Sequence, residues 1–271
     1  MHLLNRLRPK PSPRCAVYTC LFGSLEHFND FAYERDERID YVCFTDDPEL
    51  RADHWEVRVV SRELLDPPRA SKRIKALPHR FLPDYDWSIY VDNSTQLKRP
   101  PRELFERFLA PSESPFVSFR HPDRDCVYDE AEVVIDWGLD EPQRVREQMR
   151  FYRRLGYPPH NGLNTATFIL RRHHDPALVP VMERWHQQVL RHSLRDQLSL
   201  NPVAWYDGFE LGTIEQNFRT FELIQRPVLK NGLRLPRDFD DARYSELYPG
   251  VTMDPRKHYL VHGLPEQRPY K

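Results

Sequence analysis

Asp92 ends the apolar run Trp87-Ser88-Ile89-Tyr90-Val91 and is followed by Asn93 and Ser94. Ile89 and Val91 are β-branched and two apart, the spacing of one strand face, whereas Asp, Asn and Ser favour a turn. A carboxylate is thus offered at the end of a strand. There, in open α/β sheets, ligands gather and a divalent cation can neutralise a diphosphate. A strand-terminating Asx turn that binds nothing would carry the same signature.

Three further groups bear on that carboxylate. Arg69, Lys72, Arg73 and Lys75 fall in residues 69–82, which read as one basic helix leading into the Asp92 strand. Positive charge there would address the same anion as a metal at Asp92, although a solvated helix face would look alike. His121-Pro122-Asp123-Arg124-Asp125-Cys126-Val127-Tyr128-Asp129-Glu130 reads as a loop dense in groups that bind metals, phosphates or sugar hydroxyls. Arg195-Asp196-Gln197 starts or continues a helical stretch.

The elements that must position these groups are legible as a strand-connection-strand series. Cys15-Ala16-Val17-Tyr18-Thr19-Cys20-Leu21 is a strand broken at Gly23, and Tyr41-Val42-Cys43-Phe44-Thr45 is a second, closed by Asp46-Asp47-Pro48. Residues 55–60, 116–119 and 165–170 read as further strands, and residues 147–155 and 176–192 as helices. This alternation is that of a nucleotide-binding α/β domain. His173-His174-Asp175 is expected at the surface beyond a strand, and Trp137, Trp185 and Trp205 are expected in packing roles.

Forty basic against 41 acidic residues give a formal charge of -1, so no global field draws nucleic acid or an anionic bilayer. The mean hydropathy of -0.73 reflects many charges, and no apolar stretch is long enough to span a membrane. The N-terminal residues lack a signal-peptide core, so a cytoplasmic location is expected, with peripheral membrane association left open. Cys15, Cys20, Cys43 and Cys126 have no metal-knuckle spacing and are expected as buried free thiols.

Taken together, Val17 to Gly23 with Tyr41 to Asp46, Lys72 to His79 leading to Asp92, and His121-Pro122-x-Arg124-x-Cys126-x-Tyr128-x-Glu130 leading to Arg195-Asp196-Gln197 resemble the glycosyltransferase-like family termed domain of unknown function 616. The resemblance spans roughly residues 15–205. It implies a GT-A-like α/β fold, mixed but mostly parallel, and a transferase moving sugar from a UDP- or GDP-sugar donor to a glycan or glycolipid acceptor in bacterial surface polysaccharide or glycoconjugate synthesis. By the resemblance, Asp92 falls on the first carboxylate of a DxD-type element for Mn²⁺ or Mg²⁺; a further ligand from elsewhere is expected, for which His121 or another His is a candidate. Thr19, Phe22, Gly23, Asp46, Lys72, Lys75, Asn93, Arg124 and Gln197 fall to donor binding. Asp196 also falls near the donor sugar; Asp196 or Glu130 is expected as the catalytic general base if transfer inverts the anomeric centre, and Asp196 to orient or stabilise the sugar cation if configuration is retained. Asn93 and Ser94 depart from the second aspartate of the usual element.

Residues 1–13 are expected as a flexible lead, 14–237 as the catalytic domain and 238–271 as a small helical accessory. That accessory resembles a short module recurring in bacterial polysaccharide glycosyltransferases. In it Tyr244, Leu247, Tyr248, Tyr259 and Leu260 have packing roles, and His258 and His262 are structural. Two other readings fit the same residues: a metal-dependent hydrolase of a phosphate or glycolipid, and a glycan-binding subunit without turnover.

Overall fold

A computed structural model describes residues 13–23, 28–33, 36–225, 236, 239–264, 266 and 268–270. The expected N-terminal lead lies outside them except for Pro13. Strand β1 (Cys15–Leu21) is buried along its whole length, as a parallel strand covered on both faces must be. It pairs in parallel with β2 (Ile39–Thr45) on one side and with β4 (Trp87–Val91) on the other. β3 (Glu56–Val59) extends the β2 edge. β5 (Gln96–Leu97) leaves the sheet to pair with β9 (Ile224–Gln225). β6 (Phe116–Arg120), β7 (Asn164–Arg171) and β8 (Gly212–Ile214) complete the order β3-β2-β1-β4-β7-β6-β8, in which β7 alone runs antiparallel to its neighbours. This mixed, mostly parallel sheet with flanking helices is the expected GT-A-like α/β architecture.

Period-two alternation sorts β1 between two cores. Ala16, Tyr18 and Cys20 face Ile74 of α1 (Pro67–Ala76) and Met182 and Trp185 of α6 (Leu178–Arg191), whereas Cys15, Val17 and Leu21 face Trp55, Phe105 and Phe119. Between these helices the chain passes through α2 (Pro78–Phe81), α3 (Pro101–Leu104), α4 (Val127–Asp136) and α5 (Pro142–Leu155). α4 and α5 form a third cluster around Ala131, Val145 and Met149. α6 (Leu178–Arg191) buries Val181, Met182, Trp185 and Val189 on one stripe. α7 (Gln197–Tyr206) follows it. All four cysteines are free and buried, as expected. Among the described residues, no helix is long and apolar enough to cross a membrane.

Three expectations need correction. The basic stretch is two helices, because Pro78 has no N–H to continue the ladder and the chain breaks at Leu77. The supposed loop 121–130 becomes helical at Val127, so Glu130 stands in the first turn of α4. His173 is buried, 1% exposed, with Nε2 3.1 Å from the Leu82 carbonyl and its ring 4.5 Å from that of His174. The pair lies in a turn past β7, where strand alternation no longer directs adjacent side chains apart.

In the C-terminal segment, α8 (Asp241–Leu247) is capped by Asp240, whose carboxylate accepts from the Arg243 N–H at 2.8 Å. α9 (Pro255–His258) continues into a π-helical turn, Tyr259–Gly263. Tyr244 and Tyr259 are buried against Phe239 and each other. His258 is fully buried, and its Nε2 lies 2.6 Å from the Trp137 carbonyl, which can only accept. Its Nδ1 therefore accepts from the Tyr244 hydroxyl at 2.9 Å, so both ring nitrogens are spent on structure.

Candidate active site

Strand order reverses at β1, with β2 to one side and β4 to the other, the position at which open α/β sheets bind ligands beyond the C-terminal strand ends. Gly23 makes the turn out of β1 with φ +85°, a conformation glycine reaches without a Cβ penalty. Its N–H donates to Asp46 Oδ1 at 2.9 Å beyond β2, while Asp46 Oδ2 faces Arg62 at 2.7 Å. Beyond β4, the Asp92 N–H donates to the Thr167 carbonyl, and the Asp92 carbonyl accepts from the Thr95 N–H. Asn93 binds Asn29 twice: its Oδ1 accepts from the Asn29 N–H at 2.9 Å and its carbonyl from the Asn29 amide at 2.5 Å.

Lysines meet carboxylates at the Asp92 end. Asp66 caps α1 by accepting from the Arg69 N–H, Arg69 returns to Asp66, and Arg73 reaches Glu63. Lys72 and Lys75, three apart, turn instead to the sheet edge. Lys75 is 3% exposed; its Nζ lies 2.5 Å from Asp196 Oδ2, 3.9 Å from Asp92 Oδ1 and 5.0 Å from the Tyr90 ring centroid. The Tyr90 hydroxyl donates to Asp92 Oδ1 at 2.9 Å. Behind Lys75, the Tyr18 hydroxyl donates to the Lys75 carbonyl at 3.0 Å and accepts from the buried Arg171 guanidinium.

Asp196 precedes α7 in a helical conformation, so its carboxylate does not cap that helix. The backbone is pinned through its carbonyl, which accepts from Trp185 Nε1 at 2.8 Å and Ser199 Oγ at 3.1 Å. Burial opposes charge on Asp196, yet Lys75 and Lys72 outweigh it and hold the pKa below the usual carboxylate value. Burial lowers the Lys75 pKa against the pull of Asp196 and Asp92, whereas for Lys72 the same carboxylates win and raise it. The pair is ionic, with the Lys75 ammonium the costlier member to bury.

A second cluster lies along the start of α4. Arg124 Nε donates to Glu130 Oε2 at 2.5 Å. His121 Nδ1 accepts from the backbone N–H groups of Asp123 and Arg124, and its Nε2 lies 3.3 Å from Arg124 Nη2 and 3.8 Å from Glu130 Oε2. Burial, aided by Arg124, pushes the His121 pKa down to about 4. Burial raises that of Glu130 against the opposing pull of Arg124 and Arg195. Arg195 also acts electrostatically on Lys72 and Asp196, so the Arg195-Asp196 dipeptide joins the two clusters. Gln197 Nε2 is buried without an acceptor among the described residues.

Of the residues singled out in the sequence, the structure brings Asp92, Lys72, Lys75 and Asp196 together, and Arg124 with Glu130 and His121. Gly23 and Asp46 form a separate tie between strand ends. Thr19 is buried on the opposite sheet face from Cys20 and Tyr90, as alternation requires, and Phe22 belongs to the core around α1. Sequence reading passed over Tyr90, although it lies two residues before Asp92 on the same strand. It also assigned no role to Tyr18 and Arg195, and Trp185, expected only in packing, donates to the Asp196 carbonyl as well. A cavity of about 380 Å³ at the far end of α7, bordered by Asn164, Asn201, Trp205 and Thr213, contains neither lysine nor Asp92.

The donor set at Asp92 does not fit a preformed divalent-cation site. Mn²⁺ or Mg²⁺ requires several oxygens. Here Asp92 Oδ1 accepts from Tyr90 and faces Lys75, Asn93 Oδ1 accepts from Asn29, and His121 Nδ1 is committed to two N–H groups. Among the described residues, three His, Cys, Asp or Glu ligand atoms lie within 4.8 Å of one another only at Cys126, Asp129 and His160.

Residues 15–222 match the family model described as TOD1/MUCI70, glycosyltransferase-like domain. Over 162 residues the chain is 30% identical to a protein of Arabidopsis thaliana named probable hexosyltransferase MUCI70. The match covers 55% of this chain and 27% of that relative, so the chain spans little more than a quarter of the relative's length. The matched segment takes in every strand end, lysine and carboxylate of the two clusters, and the chain belongs to the TOD1/MUCI70 glycosyltransferase-like family, the group termed domain of unknown function 616.

Proposed function

We propose that this protein is a glycosyltransferase that moves a sugar from a nucleotide-diphosphate donor to a hydroxyl of a glycan or glycolipid acceptor. The observation that carries the reading is the placement of Lys72 and Lys75 against Asp92 and Asp196 at the C-terminal edge of the sheet. Cleavage of the bond between the anomeric carbon and the diphosphate oxygen leaves negative charge on the diphosphate and positive charge on the sugar. Preorganised cations in a dry site stabilise such a leaving group without reorganisation. Lys72 and Lys75 supply that charge from this chain's own residues. No step is assigned to Mn²⁺ or Mg²⁺.

Asp196, held ionised by the lysines, is suited to face the developing sugar cation. Glu130, with its raised pKa, is the better acceptor of the proton lost by the attacking hydroxyl. The relative's name supports hexose as the sugar class and the family description supports transfer.

The test is a panel of UDP- and GDP-hexoses with glycan and glycolipid acceptors, following release of nucleoside diphosphate and glycosylated product. Lys75→Ala and Asp196→Asn should each lower turnover by about two orders of magnitude. Donor cleavage that never yields glycosylated acceptor would favour the hydrolase, and donor binding without cleavage the inactive glycan-binding subunit.

A further inference from the structure

Arg195 is gripped from outside the matched domain. Its Nη1 lies 3.0 Å from Oε1 of Glu266, a side chain 15% exposed. The other oxygen, Glu266 Oε2, accepts from Arg268 Nε at 2.8 Å and stands 2.7 Å from Arg268 Nη2. One carboxylate is therefore shared between two guanidinium groups, with Arg268 on Oε2 and Arg195 on Oε1, both charge-assisted contacts. The backbone that carries it is tied by the Glu266 N–H to the His262 carbonyl and by the Arg268 N–H to the Gly263 carbonyl.

That segment has a fixed seat. His258 reaches the Trp137 carbonyl, and Val251 packs so closely on Gly138 that an added Cβ would lie 2.6 Å from Val251 Cγ2. Trp137 and Gly138 close the C-terminal end of α4, whose first turn bears Glu130. The C-terminal segment thus grips α4 at one end while Glu266 reaches the residue beside Asp196.

The charges explain the need. Arg195 adjoins Asp196 and acts on Glu130 and Lys72. An Arg195 side chain released from Glu266 has two carboxylates to collapse on: Asp196, the partner of Lys75, and Glu130, the partner of Arg124. Either collapse dissolves an ion pair of the site.

We propose that Glu266, supplied by the C-terminal segment, is a positioning residue of the active site: it holds the Arg195 guanidinium so that Asp196 stays with Lys75 and Glu130 with Arg124. This rests on the transferase reading of the site. The experiment is a double-mutant cycle of Arg195→Gln and Glu266→Gln in the full chain, with kcat and donor KM measured on the donor found in the panel and thermal unfolding measured alongside. Glu266→Gln should lower kcat about tenfold, a coupling within the range for residues in direct contact. Glu266→Asp, which keeps the charge, should recover part of the loss. The double variant should be no slower than Arg195→Gln alone.

Wild-type kcat in Glu266→Gln beside an impaired Arg195→Gln would overturn the proposal, as would effects that simply multiply. A loss of kcat that Glu266→Asp does not relieve, with a matching fall in unfolding temperature, would mark Glu266 as merely structural and overturn it too. If Arg195→Gln and Asp196→Asn both keep full turnover, the reading of the site itself fails, and with it this inference.

Discussion

Lys75 and Asp196, from opposite halves of the chain, meet at 2.5 Å beneath the C-terminal edge of the sheet, with Asp92 3.9 Å from the same ammonium. Two carboxylates around one buried cation form a unit whose members cannot be removed independently. Taking away one partner leaves an uncompensated buried charge, which costs about 3–5 kcal/mol, whereas apolar replacement of both is often close to neutral. Lys75→Met is therefore expected to lose about 3 kcal/mol in urea denaturation, and Lys75→Met with Asp196→Leu to regain most of it. Turnover should stay lost in both. A double variant no more stable than the single would contradict the buried-pair reading.

The expected DxD-type metal site and the lysine-based site diverge under chelation. Because Asp92, Asn93 and His121 all have protein partners, turnover should persist within about twofold in EDTA. UDP or GDP should raise the unfolding temperature equally with and without Mn²⁺. Abolition of turnover by EDTA, restored by Mn²⁺, would return the leaving-group role to a cation at Asp92.

Burial holds four histidines neutral: His121 and His186 at about 4 and His173 and His262 at about 3, against an ordinary value of 6.5. A depressed folded-state pKa means that the unfolded chain binds protons first. The stability is present in full above pH 6.5 and is lost as pH falls from 6.5 toward 4, by up to about 3 kcal/mol per residue. Unfolding free energy from urea titration should thus be clearly lower at pH 5 than at pH 7. His173→Gln should flatten that dependence, and an unchanged slope in this variant would count against it.

Gly138 has φ +60° and Val251 against its open face. Gly138→Ala adds both backbone strain and a clash, so it should destabilise by about 1–3 kcal/mol. The sign of undocking is proteolysis: residues 239–270 should be cut faster in limited digestion while the sheet domain survives. Equal cleavage rates for the variant and the wild type would show that the contact does not hold the segment.

Much of the frame was legible in the amino-acid order because it depends on local rules. The β1 bounds follow from a mostly apolar run with good strand formers that ends before Gly23, and the Asp92 turn from three poor strand formers in succession. Three of the four buried thiols, Cys15, Cys20 and Cys43, follow from their place in such runs. The family motifs named the lysines and Asp196 because their spacing is written in one dimension. Local rules failed at residues 69–82, where Pro78 divides one apparent helix into two, and at His173, where a turn replaces strand alternation.

Linear order determined which charged residues this protein carries and which strand ends expose them. Tertiary structure alone decided their partners: that Lys75 lies between Asp92 and Asp196, that Tyr18 and Arg171 brace it from behind, and that Glu266 holds Arg195 from another segment. The reason is physical. Secondary structure follows from side chains within a few residues of each other, whereas an ion pair depends on burial and on distances set by strands and helices remote in sequence, and neither quantity exists until the sheet has closed.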